Sequence, residues 1–150
     1  MNVVLLDARD IEVPKWIGKV EPFALEVLKT LVLDSWELSI IFCSDTFIQQ
    51  LNRDYRGKDE PTDILSFEMG ETSMREGTEV FIAGDIVISI PALTRNALEF
   101  SVSTEEELKR LVIHGILHLS GLDHATNNPS EPMLKTQESI LETLAKERIF

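Results

Sequence analysis

Residues 104–124 read TEEELKRLVIHGILHLSGLDH, and what this stretch needs around it governs how the rest of the chain must fold. Leu108, Leu111, Val112, Ile116 and Leu119 recur at helical spacing and make one apolar stripe. Thr104 and Glu107 give the pattern T-x-x-E, which predicts a capping box at the start of a helix over 104–120. Between Leu111 and Leu119 every residue except His114, Gly115 and His118 is large and apolar. A helix that is apolar all round is a buried one. The remaining chain must therefore wrap it, and its histidines are expected to be largely removed from water.

Working outward, residues 2–6 (NVVLL) predict a strand. Residues 22–33 predict a helix, with Pro22 at its first position and Phe23, Val27, Leu28, Leu31 and Val32 as its apolar face. Residues 36–43 (WELSIIFC) alternate as a strand with Trp36, Leu38, Ile40 and Phe42 on one face. A short helix is expected over about 45–54, then a turn-rich segment at 55–63 (YRGKDEPTD). Strands are expected at 64–69 and 80–89, separated by a polar, glycine-flanked exposed loop at 70–79. Further helices are expected at 91–100 and 132–147. The sum is a mixed α and β chain forming a single domain over 1–150, with about four strands and about five helices.

The bulk properties narrow the function. A length of 150 residues, 43% hydrophobic and 27% charged, suits one globular domain with its own core. No apolar run approaches the ~20 residues of a membrane span, and no membrane partner is expected. The N-terminus has no basic region and meets Asp7 early, so no leader peptide is expected. Cys43 is the single cysteine and cannot form an internal disulfide; a reducing, cytoplasmic setting is expected. The net charge of −12 argues against a nonspecific nucleic-acid coat, which would be basic. A polyanionic substrate would have to be met by a few placed cations and a metal.

All three histidines fall in HGILHLSGLDH, 114–124. His114 and His118 are four apart and share a helix face. Gly121 supplies the left-handed residue that commonly ends a helix, so the chain can turn back and bring His124 to the same point. Three imidazoles with an open fourth position suit a catalytic Zn²⁺ or another divalent transition ion. A closed structural site would need a fourth ligand, for which Cys43 is the one soft candidate. The spacing also fits the H-E-x-x-H-x-x-G-x-x-H run of metzincin proteases, but Gly115 stands where those enzymes carry the glutamate that moves protons. A peptidase is therefore disfavoured. Gly115 itself signals either close approach of a ligand or neighbouring backbone, or simple tight helix packing.

A second constellation is LNRDYRGKDEPTDILSF, 51–67. Its cations Arg53, Arg56 and Lys58 are balanced by Asp54, Asp59 and Glu60, so it is no generic basic patch. Arg56 is the candidate for function, because a guanidinium can fork onto two phosphate oxygens. Asp123, beside His124, is either a proton acceptor in catalysis or a carboxylate orienting an imidazole. Asp85, in a run of apolar residues, is a further candidate for an orienting or partner-binding group.

HGILHLSGLDH resembles the H-G-x-L-H-L-x-G-x-D-H signature of the YbeY proteins, bacterial endoribonucleases that mature ribosomal RNA. LNRDYRGKDEPTDILSF, AGDIVIS (83–89) and MLKTQESIL (133–141) are similar to three further blocks of that family. The resemblance spans about residues 36–145. Glu68 departs from a common proline and Ala83 from a common leucine, and neither is expected to touch a proposed ligand. The resemblance implies an α+β fold with a small mixed β-sheet packed with the helices, zinc on the three motif histidines at the end of the buried helix, and a catalytically important arginine at Arg56. It also implies cleavage of single-stranded RNA in finishing the 3′ end of small-subunit ribosomal RNA, and ribosome quality control. The implied partners are single-stranded rRNA, the small ribosomal subunit and its assembly factors. The alternative is a ribosome-assembly binding factor whose metal is mainly structural.

Overall fold

A computed structural model describes all 150 residues. The elements run β1 (Val3–Arg9), α1 (Val20–Thr30), β2 (Trp36–Cys43), α2 (Asp45–Arg56), β3 (Ile64–Arg75), β4 (Thr78–Ser89), α3 (Ile90–Glu99), α4 (Thr104–Leu119) and α5 (Pro132–Thr143). The four strands form one mixed sheet in the order β1-β2-β4-β3. β1 and β2 pair in parallel, as do β2 and β4, while β3 runs antiparallel to β4 at the edge. The expected α+β architecture is the one observed.

The two faces of the sheet carry unequal cores. On one, Val4, Leu38, Ile40, Phe42, Ile86 and Ile88 join α1, α4 and α5 in a cluster of 25 buried residues. On the other, α2 covers a cluster of only four, Cys43, Ile48, Leu65 and Val87. α4 belongs to the large core, with Leu108, Leu111, Val112, Ile116 and Leu119 all buried. At roughly 1.5–3 kcal/mol per fully buried large aliphatic side chain, this stripe holds α4 against the sheet more firmly than helix propensity could.

Several expectations are corrected. Residues 70–79 are not a loop. β3 and β4 continue through them as a long hairpin, joined by Glu76 and Gly77 at φ 52 and 80. Both positive φ values fit a two-residue type I′ turn. This arm stands in solvent on both faces, so no apolar alternation marks it. Helix α1 ends at Thr30, and Val32, expected in its apolar face, is exposed at φ 57. Pro22 sits at the third helical residue rather than the first, where its missing N–H is still harmless. α2 runs on through Arg56, so that residue ends a helix rather than sitting in a turn-rich segment. The cap of α4 is Ser103, whose hydroxyl accepts from the Glu106 N–H at 3.0 Å. Glu107 lies instead inside the core, bonded by Arg110 at 3.1 Å.

Candidate metal centre and cleft

Two glycines let α4 present its histidines. At Gly115 there is no room for a side chain: an added Cβ would lie 2.7 Å from the Ile86 side chain. Of the readings open at this residue, tight packing of α4 on the Ile86 side chain of β4 is the one observed. At the helix end, the Gly121 N–H donates to the His118 carbonyl at 3.0 Å and the Leu122 N–H to the Leu117 carbonyl at 3.1 Å. These are the two bonds of a Schellman ending, with Gly121 at φ 99. The chain reverses there and returns His124 to the other two histidines.

The three rings converge. Centroids lie 4.7 Å (His114–His118), 5.2 Å (His114–His124) and 5.6 Å (His118–His124) apart, and one nitrogen from each falls within 4.8 Å of the others. His114 Nε2 and His118 Nε2 face each other at 3.1 Å. The outer nitrogens of two rings are already engaged. His114 Nδ1 lies 2.7 Å from Gln137 Oε1, and His124 Nδ1 lies 2.8 Å from the Thr126 carbonyl. A carbonyl or amide oxygen only accepts, so each of these Nδ1 atoms carries the proton and each Nε2 keeps its lone pair. That donor set fits a divalent transition ion. The position at the C-terminal end of α4, the negative end of the helix dipole, also favours a cation.

Burial lowers the pKa of His114 and of His118, in each case as the largest influence. For His118 the Asp123 and Glu68 carboxylates pull the other way. Both rings are therefore neutral near pH 7, the form that ligates. Both rings are largely withdrawn from water, as expected, yet each keeps an open edge; the His118 side chain is 24% exposed. This follows from their place on the wall of a cleft.

The cleft measures about 370 Å³ and is lined by Arg56, Ser66, Glu68, His114, His118 and Asp123 among others. Arg56 Nη2 donates to the Ser66 carbonyl at 2.9 Å, and its guanidinium lies 5.9 Å from the centre of the Phe67 ring. It is thereby held at the edge strand with further N–H groups free. Asp123 Oδ1 accepts the His124 backbone N–H at 2.8 Å and lies 4.0 Å from His118 Nδ1. Glu68, not expected near a ligand, shares the cleft, and its charge acts on His118.

Two candidates lie elsewhere. Asp85 lines a separate, mainly apolar hollow with Tyr55, Phe67 and Val87, away from the histidines. Cys43 belongs to the small cluster under α2 and is no fourth ligand. Its thiol is pushed up to about 12, by burial first and then by Asp45 and Asp10. Gln137 was missed altogether. Its signal was a polar residue between Met133 and Ile140 on the buried face of α5.

Comparison with known proteins agrees with this fold. The family model described as Endoribonuclease YbeY matches residues 6–145. The Endoribonuclease YbeY of Treponema denticola is 56% identical over 124 residues, covering 82% of this chain and 80% of the relative. That of Treponema pallidum (strain Nichols) is 49% identical over 142 residues, covering 94% and 89%. The solution structure of TM1509 from Thermotoga maritima superposes with a TM-score of 0.67 at 30% identity, covering 97% of this chain and 91% of that one. A family model running over nearly the whole chain, together with relatives this similar across most of their own length, establishes that the chain belongs to the YbeY endoribonuclease family.

Proposed function

We propose that this protein is a metal-dependent endoribonuclease that cuts single-stranded RNA and acts in maturing the 3′ end of small-subunit ribosomal RNA and in ribosome quality control. The observation that carries the reading is the facing of three imidazoles onto one point beside an open cleft that also holds a fixed arginine. The endoribonuclease relatives supply the reaction class, and the resemblance supplies the ribosomal substrate. Zn²⁺ is the proposed ion, because three imidazoles with an open position are a donor set of catalytic zinc sites.

His114, His118 and His124 hold the ion. Once bound, it supplies Lewis acidity to a phosphoryl oxygen and acidity to water. Arg56 donates its free N–H groups to the scissile phosphate and stabilises the charge that grows on it in the transition state. The Ser66 carbonyl and the Phe67 ring fix the direction of that guanidinium. Asp123 ties down the His124 backbone and faces His118 Nδ1, which keeps both rings turned inward. The net charge of −12 repels RNA at long range, so recognition depends on these few cationic groups.

The reading is tested with Zn²⁺-loaded protein and a labelled single-stranded RNA. Cleavage is expected, with loss on adding a chelator. Arg56→Ala is expected to retain its zinc and to lose about 10²-fold or more in rate, the scale of removing one donor to a developing oxyanion. Unchanged cleavage in Arg56→Ala would remove that residue from the reaction. RNA binding without any cleavage by the loaded wild-type protein would favour an assembly factor with a structural metal.

A further inference from the structure

Gln137 occupies a core position of α5 and is only 6% exposed. Its Oε1 lies 2.7 Å from His114 Nδ1, and its Nε2 donates to Glu138 Oε2 at 3.0 Å. These two contacts settle which way the amide faces. A carboxylate only accepts, so the NH₂ group must be on the Glu138 side and the oxygen on the histidine side. Glu138 is itself held in place. Arg110 forks onto it, Nε to Oε2 at 3.0 Å and Nη2 to Oε1 at 3.1 Å. Arg110 also reaches Glu107 at 3.1 Å and Glu106 at 3.2 Å. Burial acts to raise the Glu138 carboxyl, but the bonds from Arg110 and Gln137 outweigh it and hold it below its ordinary range. Glu138 is thus an ionised, fixed acceptor.

We infer that Gln137 is a positioning residue of the metal centre: with Glu138 and Arg110 it pins the His114 proton on Nδ1 and so leaves Nε2 free to ligate. Turned the other way, the amide would offer an N–H to Nδ1. The imidazole proton would then move to Nε2, the atom facing His118 Nε2 at 3.1 Å, and the ligand would be blocked. The relay runs from the first half of α4, through α5, to a histidine in the second half of α4. Its consequence for metal binding rests on the function proposed above, whereas the placement of the proton does not.

The test uses the full chain, with histidine ¹⁵N chemical shifts in the metal-free protein and Zn²⁺ affinity by competition with a chromophoric chelator. Wild type should show His114 as the Nδ1–H form. Gln137→Leu, which fills the same space without an acceptor, should show mixed tautomers and bind Zn²⁺ roughly 10–100-fold more weakly, the usual cost of losing a partner behind a ligand. Should Gln137→Leu fail to fold, Glu138→Ala, at a half-exposed position, carries the test: with nothing holding the NH₂ outward, mixed tautomers are expected. A single Nδ1–H form in either variant, with affinity within twofold of wild type, overturns the inference. A wild-type protein that shows the Nδ1–H form but takes up no Zn²⁺ overturns the metal-centre reading and leaves the proton assignment standing.

Discussion

Helices α1 and α4 end with the same hydrogen bonds and different residues. At the end of α1, the Val32 N–H meets the Lys29 carbonyl at 3.0 Å and the Leu33 N–H meets the Leu28 carbonyl at 2.9 Å. At the end of α4, Gly121 and Leu122 repeat the pattern onto His118 and Leu117. Yet the left-handed residue is a β-branched valine at φ 57 in one and a glycine at φ 99 in the other. After α1 the chain needs only to reach β2, and a side chain in the ordinary left-handed well is a tolerable strain, ~1–2 kcal/mol. After α4 it must carry His124 back against two rings within a few residues. That path uses a φ well past the left-handed well near +57°, where a side chain fits poorly. The backbone bonds set the type of turn; the destination of the chain beyond it sets the residue.

The largest effect is expected at the end of α4. Gly121→Ala is expected to cost about 1–2 kcal/mol in stability and to weaken Zn²⁺ binding as well, because His124 would be displaced. Beyond the adjoining residues no heavy atom lies within 4 Å of an added Cβ there, so any loss reports backbone conformation and not a tertiary clash. Chelator competition and thermal melts read the two effects, and an unaltered affinity would show that His124 reaches the cluster independently of the helix end.

Acid separates the two ends by charge. His114 and His118 have lowered pKa values in the fold, mainly through burial. Below the unfolded histidine value of about 6.5 the unfolded chain takes up protons that the folded one refuses, so stability must fall as pH falls. The metal-free protein should therefore show a declining Tm from pH 7 to pH 5, and the double variant His114→Ala, His118→Ala should show a shallower decline. Near α1 the carboxylate of Asp34 is held low by its bond from the N-terminus and titrates only in stronger acid. A level Tm across this interval would mean that the rings are protonated as easily folded as unfolded.

The smallest effect belongs to α1. Val32→Gly removes a side chain that is 89% exposed and frees the left-handed turn. Relief of strain, less the added freedom of the unfolded chain, should stabilise by about 0.5–1 kcal/mol. Urea unfolding measures it, and a loss of stability would show that Val32 fits its φ without strain.

The sequence made some of this legible and hid the rest for identifiable reasons. The α4 stripe, the β2 alternation and the histidine spacing are periodic, and period is what burial on one face imposes. The outer arm of β3 and β4 meets no such demand, so Met69, Met74 and their neighbours show no pattern a strand would leave. The cap of α4 was misplaced by one residue because Ser103 and Thr104 are both able caps, and only the path of the chain chooses between them. Arg56 was found through its chemistry, but its anchor on Ser66 is a tertiary contact that spacing cannot encode. Glu68 and Gln137 reach the centre from β3 and α5, elements whose placement depends on the whole fold.

Gly115 lies where a metzincin keeps its proton-moving glutamate, and its Cα looks into Ile86 of the sheet. Restoring that acid by a single exchange would drive a charged chain into close-packed hydrocarbon rather than deliver it to the cleft. The seating of helix on strand has thus closed an evolutionary door: a lineage on this scaffold could reach peptide chemistry only by rebuilding β4 at the same time.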